Sequence, residues 1–427
     1  MKRTYQIAER KAIQRFRSHL TNDPGNIQLI LPLADIADRL RSGVDDMLFE
    51  AELQLLQLIM EDEVSWLSGA RYQRRNSHGT ERWGTAHGSV IVHGQKVPLQ
   101  RPRIRSSSGD MKLGSYELFR REEDMQRRVW SRIMRGLTMR GYDPAMRERD
   151  RAFGLSKSSI SDRFVLASTE QVNTLLKRDL SKLNLCALMV DGVEYHSEHF
   201  VVALGIDQTG AKTILGFHQG ATENQPICDQ LLNELVSRGL NLKQSFMAVI
   251  DGGRAVRASI RKHSEHALVQ RCQLHKRRNI TEHFADDQQK YWDRKLANAY
   301  DLFSYQDAKR ALNQIQRELM DVNPSAARSL DEGLDETLTV HRLGVPAELR
   351  RVLRTTNPIE SAFSRVRTVC QNVKRWRDGD QRERWIGSAL IFAEQKFRRI
   401  VGCQAMPKFL GILQAYTGDS KKTGKIA

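Results

Sequence analysis

Cys186-Ala187-Leu188-Met189-Val190-Asp191-Gly192 and Phe246-Met247-Ala248-Val249-Ile250-Asp251-Gly252 share one pattern: five apolar residues, then Asp-Gly. A run this short and this uniformly apolar reads as a buried strand. An aspartate directly after such a run stands on a rigid strand tip that solvent still reaches. Asp-Gly is also a strong turn signal, and one such pair alone reads more readily as a strand terminator. Two pairs in equivalent places reverse that preference. If the strands are neighbours, both carboxylates point to one edge of the sheet.

Working outward, residues 200–206 and 212–217 read as two further strands joined by the turn Asp207-Gln208-Thr209-Gly210. A helix over 224–238 stops at Gly239. After the second Asp-Gly come a helix over 254–263 and a short strand Ala267-Leu268-Val269. From Cys272 to near Arg399 the pattern is helical throughout. Three strands, a helix, a fourth strand and further helices is the order of a ribonuclease H-like α/β core.

Upstream, residues 45–67 carry helical apolar spacing (Leu48, Leu53, Leu56, Ile59, Met60, Val64). Residues 89–99 read as a β-hairpin turning at His93-Gly94-Gln95. Its tail, Leu99-Gln100-Arg101-Pro102-Arg103-Ile104-Arg105, is a basic extended strand. Helical patterns return over 117–182. Within them, 154–164 resembles the turn and second helix of a helix-turn-helix, with Gly154 in the turn, Ser156 as cap, and Lys157, Ser158 and Ser159 facing a groove. A capped core helix is the plainer reading of the same residues.

Charge bears on the partner. The chain has 427 residues, 68 Lys+Arg against 51 Asp+Glu, and a formal charge of +17. Between Arg71 and Arg149 there are 18 Lys/Arg and 8 Asp/Glu, so this region holds over half of the excess. A polyanionic partner follows, and nucleic acid is preferred over a lipid surface. No apolar run reaches the roughly 18 residues of a membrane span, and the start Met1-Lys2-Arg3-Thr4-Tyr5 lacks a secretory core. Five scattered cysteines (186, 228, 272, 370, 403) read as reduced thiols of a cytosolic protein.

A third acid on a later helix would complete a metal-binding set. Glu318, Glu336, Glu360 and Glu394 are the candidates. In Thr355-Thr356-Asn357-Pro358-Ile359-Glu360, Asn357 reads as an N-cap and Pro358 as the first helical residue. Glu360 is then also the ordinary partner of a capping box. Spacing alone does not choose between the roles.

Four segments together resemble the Mutator-type transposases of bacterial insertion sequences. They are Val190-Asp191-Gly192, Ile250-Asp251-Gly252, Gln270-Arg271-Cys272-Gln273-Leu274-His275-Lys276-Arg277-Arg278-Asn279, and Thr355-Thr356-Asn357-Pro358-Ile359-Glu360. Their order fits, with 60 residues between the aspartates and 109 from Asp251 to Glu360. The likeness covers roughly residues 185–400, and Val373-Lys374-Arg375-Trp376-Arg377 matches the family's arginine-rich stretch only loosely. The resemblance implies a DNA-binding region over 1–180, mostly helical with a β-hairpin. A ribonuclease H-like catalytic domain follows over 181–400, with an all-helical insertion over about 272–350, and then a tail over 401–427.

It further implies a catalytic triad of Asp191, Asp251 and Glu360 holding two Mg2+ ions, with Mn2+ as substitute, about 4 Å apart. The partners implied are double-stranded DNA with terminal inverted repeats and target DNA, bound by a homo-oligomer, as a dimer, in a bacterial cytoplasm. Cys272 and His275 have zinc-ligand spacing but lack a second pair, so they read as a structural or DNA-contacting motif. Arg101, Arg103, Arg105, Lys157, Ser158, Lys276, Arg277 and Arg278 are the candidate DNA contacts. Trp292 reads as core of the insertion rather than as a base-stacking residue. The rival functions are a nuclease or integrase of the same fold, and a transposase-derived regulator that binds DNA without cutting it.

Overall fold

The computed structural model describes residues 44–71, 79–93, 95–146, 153–195, 198–220, 224–373, 375–376 and 379–423, with positions 11, 12, 14, 15 and 18. Residues 1–167 and 168–427 form two compact units. The division falls inside a helix, where the sequence reading places its boundary at 180/181.

In the first unit, helix α1 (Val44–Ser68) packs on an antiparallel hairpin of β1 (Thr80–Val92) and β2 (Gln95–Ser106), extended by β3 (Gly109–Met111). Val92 pairs with Gln95, so the loop is two residues long. His93 has φ 50°, the left-handed conformation that the first position of a type I′ turn requires. Gly94 lies outside the described residues. The hairpin is longer than its sequence suggested, because the basic tail continues the second strand. Met60 and Val64 of α1 share a core with Val90, Val97, Leu99 and Ile104.

Helices α2 (Gly114–Phe119), α3 (Glu122–Met134), α4 (Tyr142–Met146) and α5 (Lys157–Leu176) follow. Helix α2 has Leu113 at its N-cap and no local cap. The fully buried Glu63 of α1 takes that place, accepting the Gly114 and Ser115 amides at 2.8 and 2.9 Å. Ahead of α5, Gly154 has φ 78° and Ser156 Oγ accepts the Ser159 amide at 3.3 Å, so the turn and cap stand as read. Residues 147–152, which precede that segment, lie outside the described residues.

The second unit is built on a five-stranded sheet of order β6-β5-β4-β7-β8. Its strands are β4 (Leu185–Tyr195), β5 (Glu198–Asp207), β6 (Lys212–Gly220), β7 (Phe246–Ile250) and β8 (Ala267–Arg271). Strands β4, β5 and β6 run antiparallel, while β4, β7 and β8 run parallel. The parallel pairs need crossovers. Helices α6 (Gln225–Ser237) and α7 (Arg254–His263) supply them and pack their apolar residues, Leu231, Leu235, Val256 and Ile260, on the sheet core with Leu188, Val190, Ala248 and Ile250.

Beyond β8 the chain is helical, as expected. Helices α8 (Gln273–Thr281), α9 (Asp286–Asp301), α10 (Tyr305–Val322) and α11 (Pro324–Asp331) enclose a core of their own. Trp292 is part of it, stacked on Phe284 at 5.3 Å. Three short helices, α12 (Leu334–Thr337), α13 (Thr339–Arg342) and α14 (Ala347–Leu353), lead back to the sheet. Helices α15 (Asn357–Cys370), α16 (Gly379–Glu394) and α17 (Met406–Thr423) complete the unit. Lys374 and Arg377 lie outside the described residues.

Candidate active site

The site grows from the parallel pairing of β4 and β7. Val190 is the register partner of Ile250, the last residue of β7. The residues that follow them, Asp191 and Asp251, therefore lie at the same level of the sheet. Asp191 does not terminate its strand. Strand β4 continues to Tyr195, with Asp191 opposite Val202 and Gly192 opposite Val201 of β5. The turn reading of this Asp-Gly thus fails, because β5 outlasts β7 as a partner. Asp251 does close its strand, with Oδ1 accepting the Gly253 amide at 2.8 Å.

Of the four candidate glutamates, Glu360 is the one whose charge acts on Asp191. Glu318 pairs with Lys295, and Glu394 is held by both guanidinium nitrogens of Arg178 at 2.7 and 3.0 Å. Glu336 pairs with Arg257, Arg261 and Arg271. Each is already neutralised. Glu360, in the first turn of α15, instead acts by its charge on Asp191, as does Asp251.

The capping-box reading of Glu360 fails on geometry. The N-cap of α15 is Thr356, not Asn357, and no side chain caps the helix. Asn357 is exposed. The Glu360 carboxylate accepts the Thr356 hydroxyl at 2.7 Å rather than a backbone amide.

Electrostatics mark the cluster. Burial pushes the Asp191 carboxyl up to about 7; the Asp251 charge adds to this, His275 and the Gly192 amide oppose it, and Glu360 adds a little more. His275 is also raised, to about 9, first by its hydrogen bond with Cys272, against the cost of burial and with help from the Cys272, Glu360 and Asp191 charges. Three acids set against one imidazolium leave an excess of negative oxygen ligands. A set of oxygen donors of this kind suits hard divalent cations.

The Cys-x-x-His segment, read as structural or DNA-contacting, lies against this cluster. The Cys272 amide donates to Ile250 O at 2.7 Å, so Cys272 is fixed beside the residue that precedes Asp251. Cys272 Sγ, a His275 ring nitrogen and a Glu360 oxygen lie within 4.8 Å of one another. That grouping is one ligand short of a structural zinc site. The Thr356 hydroxyl also stands among the three, 2.7 Å from Glu360 Oε1, 3.3 Å from His275 Nδ1 and 3.5 Å from Cys272 Sγ. Burial would raise the Cys272 thiol, but hydrogen bonds with His275 and Thr356 outweigh it and hold it below its ordinary value.

The same segment anchors the helical insertion. Gln270 and Gln273 both donate to Thr337 O at 2.8 Å. The buried Arg271 donates to Glu332 O and Gly252 O. Lys276, expected at a phosphate, is 4% exposed and donates to the carbonyls of Ser329 and Glu332. It is a brace within the fold and is out of reach of DNA. Arg277 pairs with Asp293, while Arg278 is exposed.

In the first unit, Arg101 lies over the Tyr116 ring at 4.9 Å and Arg105 over Trp83 at 4.8 Å, and Arg103 pairs with Asp110. Lys157 and Ser158 are exposed at the start of α5. A separate open cavity of about 540 Å³ in the second unit is lined by Lys212, Ser361, Arg365, Lys396, Phe397 and Arg398. Sequence reading missed it because its residues come from β6, α15 and the segment after α16. It also missed Thr356, although the quoted glutamate segment contains it.

Comparison with known proteins gives the family. The family described as "Transposase, Mutator family" matches residues 27–399. The transposase for insertion sequence element IS256 in transposon Tn4001 of Staphylococcus aureus is 24% identical over 350 residues, 78% of this chain and 86% of that protein. The transposase for insertion sequence element ISRM3 of Rhizobium meliloti is 26% identical over 357 residues, 79% and 82%. The transposase for insertion sequence element IST2 of Acidithiobacillus ferrooxidans is 28% identical over 218 residues, 51% and 71%. With a family match over most of its length, a five-stranded α/β unit and paired aspartates on neighbouring strands, this chain belongs to the Mutator family of transposases.

Proposed function

We propose that the protein is the DNA transposase of an insertion sequence, with Asp191, Asp251 and Glu360 as its catalytic acids on a ribonuclease H-like core. The observation that carries this reading is the pairing of Val190 with Ile250, which sets the two aspartates side by side where Glu360 also acts on Asp191. Three antiparallel strands continued by two parallel ones, with a glutamate returning from a helical insertion, support the fold assignment.

The reaction is substitution at phosphorus. Water attacks the phosphodiester at the element's end, breaking its P–O3′ bond and freeing a 3′-hydroxyl, which then attacks a phosphodiester of target DNA and expels the target strand's own 3′-oxygen as a hydroxyl. Two Mg2+ ions, or Mn2+ in their place, supply Lewis-acid stabilisation of the attacking and leaving oxygens when bound. Asp191 sits rigidly in mid-strand, Asp251 at the neighbouring strand tip, and Glu360 in the first turn of α15; together they provide the ligand charge. The exposed cations of the first unit and the basic cavity beside α15 suit the phosphates of double-stranded DNA carrying terminal inverted repeats. Joining two ends calls for a homodimer on that DNA, in the bacterial cytoplasm. No described helix is long and apolar enough to cross a membrane.

The test is cleavage of DNA spanning the boundaries of the element by purified protein in Mg2+. Wild type cuts and Asp191→Asn and Asp251→Asn bind DNA without cutting. Equal cutting by either variant refutes the assignment.

A further inference from the structure

Thr356 breaks a local rule. A threonine at an N-cap normally accepts an amide of the first turn, worth about 1 kcal/mol to the helix. Here the backbone carbonyl of Thr356 accepts the Ile359 and Glu360 amides, but its side chain caps nothing. The hydroxyl is fully buried and turned toward Glu360 instead.

A hydroxyl has one proton and two lone pairs. The carboxylate at 2.7 Å is both the nearest acceptor and the charged one, so the proton goes to Glu360. A lone pair is then free to accept from His275 Nδ1–H at 3.3 Å, while Cys272 Sγ stands 3.5 Å from the same hydroxyl. His275 Nε2 lies 3.9 Å from the same Glu360 oxygen. Cys272 and His275 are themselves fixed, the first by Ile250 O and both by the bond from the His275 amide to Cys272 Sγ at 3.5 Å. A glutamate carries three rotatable bonds. Without such a hold, a carboxylate that is one-third exposed would sample several positions relative to Asp191.

We propose that Thr356 is the positioning residue of Glu360, and that the Cys-x-x-His segment acts on the site through its hydroxyl. The segment that anchors the insertion thereby also orients the third acid. This rests on the reading of Glu360 as a metal-holding acid.

The test uses the full chain with three variants, Thr356→Val, Thr356→Ser and Glu360→Gln, and two readouts. One is Mn2+ binding by calorimetry or electron paramagnetic resonance; the other is end cleavage at saturating Mg2+. Loss of an outer partner of a metal ligand typically costs 10–100-fold in affinity or activity. Thr356→Val is expected to weaken Mn2+ binding about tenfold or more and to lower kcat with DNA affinity unchanged. Thr356→Ser, which keeps the hydroxyl, restores both. If Thr356→Val fails to fold, Thr356→Ala takes its place with the same expectations. Wild-type Mn2+ binding without the hydroxyl, while Glu360→Gln has lost it, overturns the role of Thr356. Wild-type Mn2+ binding by Glu360→Gln itself overturns the underlying assignment of Glu360 instead.

Discussion

The guanidinium of Arg271 lies where a side chain on Gly333 would begin: a Cβ built there falls 2.7 Å from Nη1 and 2.8 Å from Cζ. Gly333 also has φ 69°, which L-residues rarely adopt. Arg271 joins the end of β8 to Glu332 of the insertion and to Gly252, the residue after Asp251. Gly333→Ala is therefore predicted to cost more than about 1 kcal/mol of stability, from backbone strain together with displacement of a buried cation. Denaturant unfolding measures it; a change within about 0.5 kcal/mol would show that Arg271 can be moved freely.

Asp191 gives a pH-dependent prediction. Its carboxyl stands near 7 in the metal-free fold against an ordinary 3.8. Between these values the native state keeps a proton that the unfolded chain has released, so stability falls as pH rises through that window. Asp191→Asn does not titrate. Its advantage over wild type should be small at pH 4, grow to pH 7 and then level off, with an upper bound of about 4 kcal/mol. Melting curves in chelator at several pH values test this. A variant no more stable than wild type at pH 8 would mean that the aspartate is not under strain from its neighbours.

The cavity beside α15 predicts a salt signature. Among the described residues, Lys212, Arg365, Lys396 and Arg398 form no ion pair with an acid, and burial lowers Lys212 from its ordinary value. If they hold DNA phosphates, the double variant Lys212→Gln, Arg365→Gln loses up to about 0.9 per contact from the slope of log affinity against log salt. Filter binding or anisotropy between about 50 and 200 mM salt measures the slope. An unchanged slope removes the cavity from the DNA path.

The strands that carry the two candidate aspartates were legible because they depend on local pattern. Five apolar residues before an aspartate specify a buried strand, and both strands form where the runs are. The position of Asp191 within β4 was not legible, since it depends on β5 pairing beyond the point where β7 ends. The choice among the candidate glutamates was hidden for a similar reason. Glu394 is excluded by Arg178 and Glu336 by Arg271, partners 216 and 65 residues away in sequence. Lys276 looked like a phosphate contact in a basic run, yet the carbonyls that bury it come from Ser329 and Glu332. Asn357 before Pro358 has the sequence of a cap; the chain starts its helix one residue earlier, where Thr356 faces the Cys272–His275 pair.

The most direct measurement is Mg2+-dependent end cleavage by Glu360→Gln. Glutamine keeps the size of the side chain and an oxygen that can still accept the Thr356 hydroxyl, so the helix start is preserved while the ligand charge is removed. Glu360→Gln is expected to melt near wild type, bind the end DNA and leave it uncut. A well-folded Glu360→Gln that cuts at close to the wild-type rate would contradict this expectation.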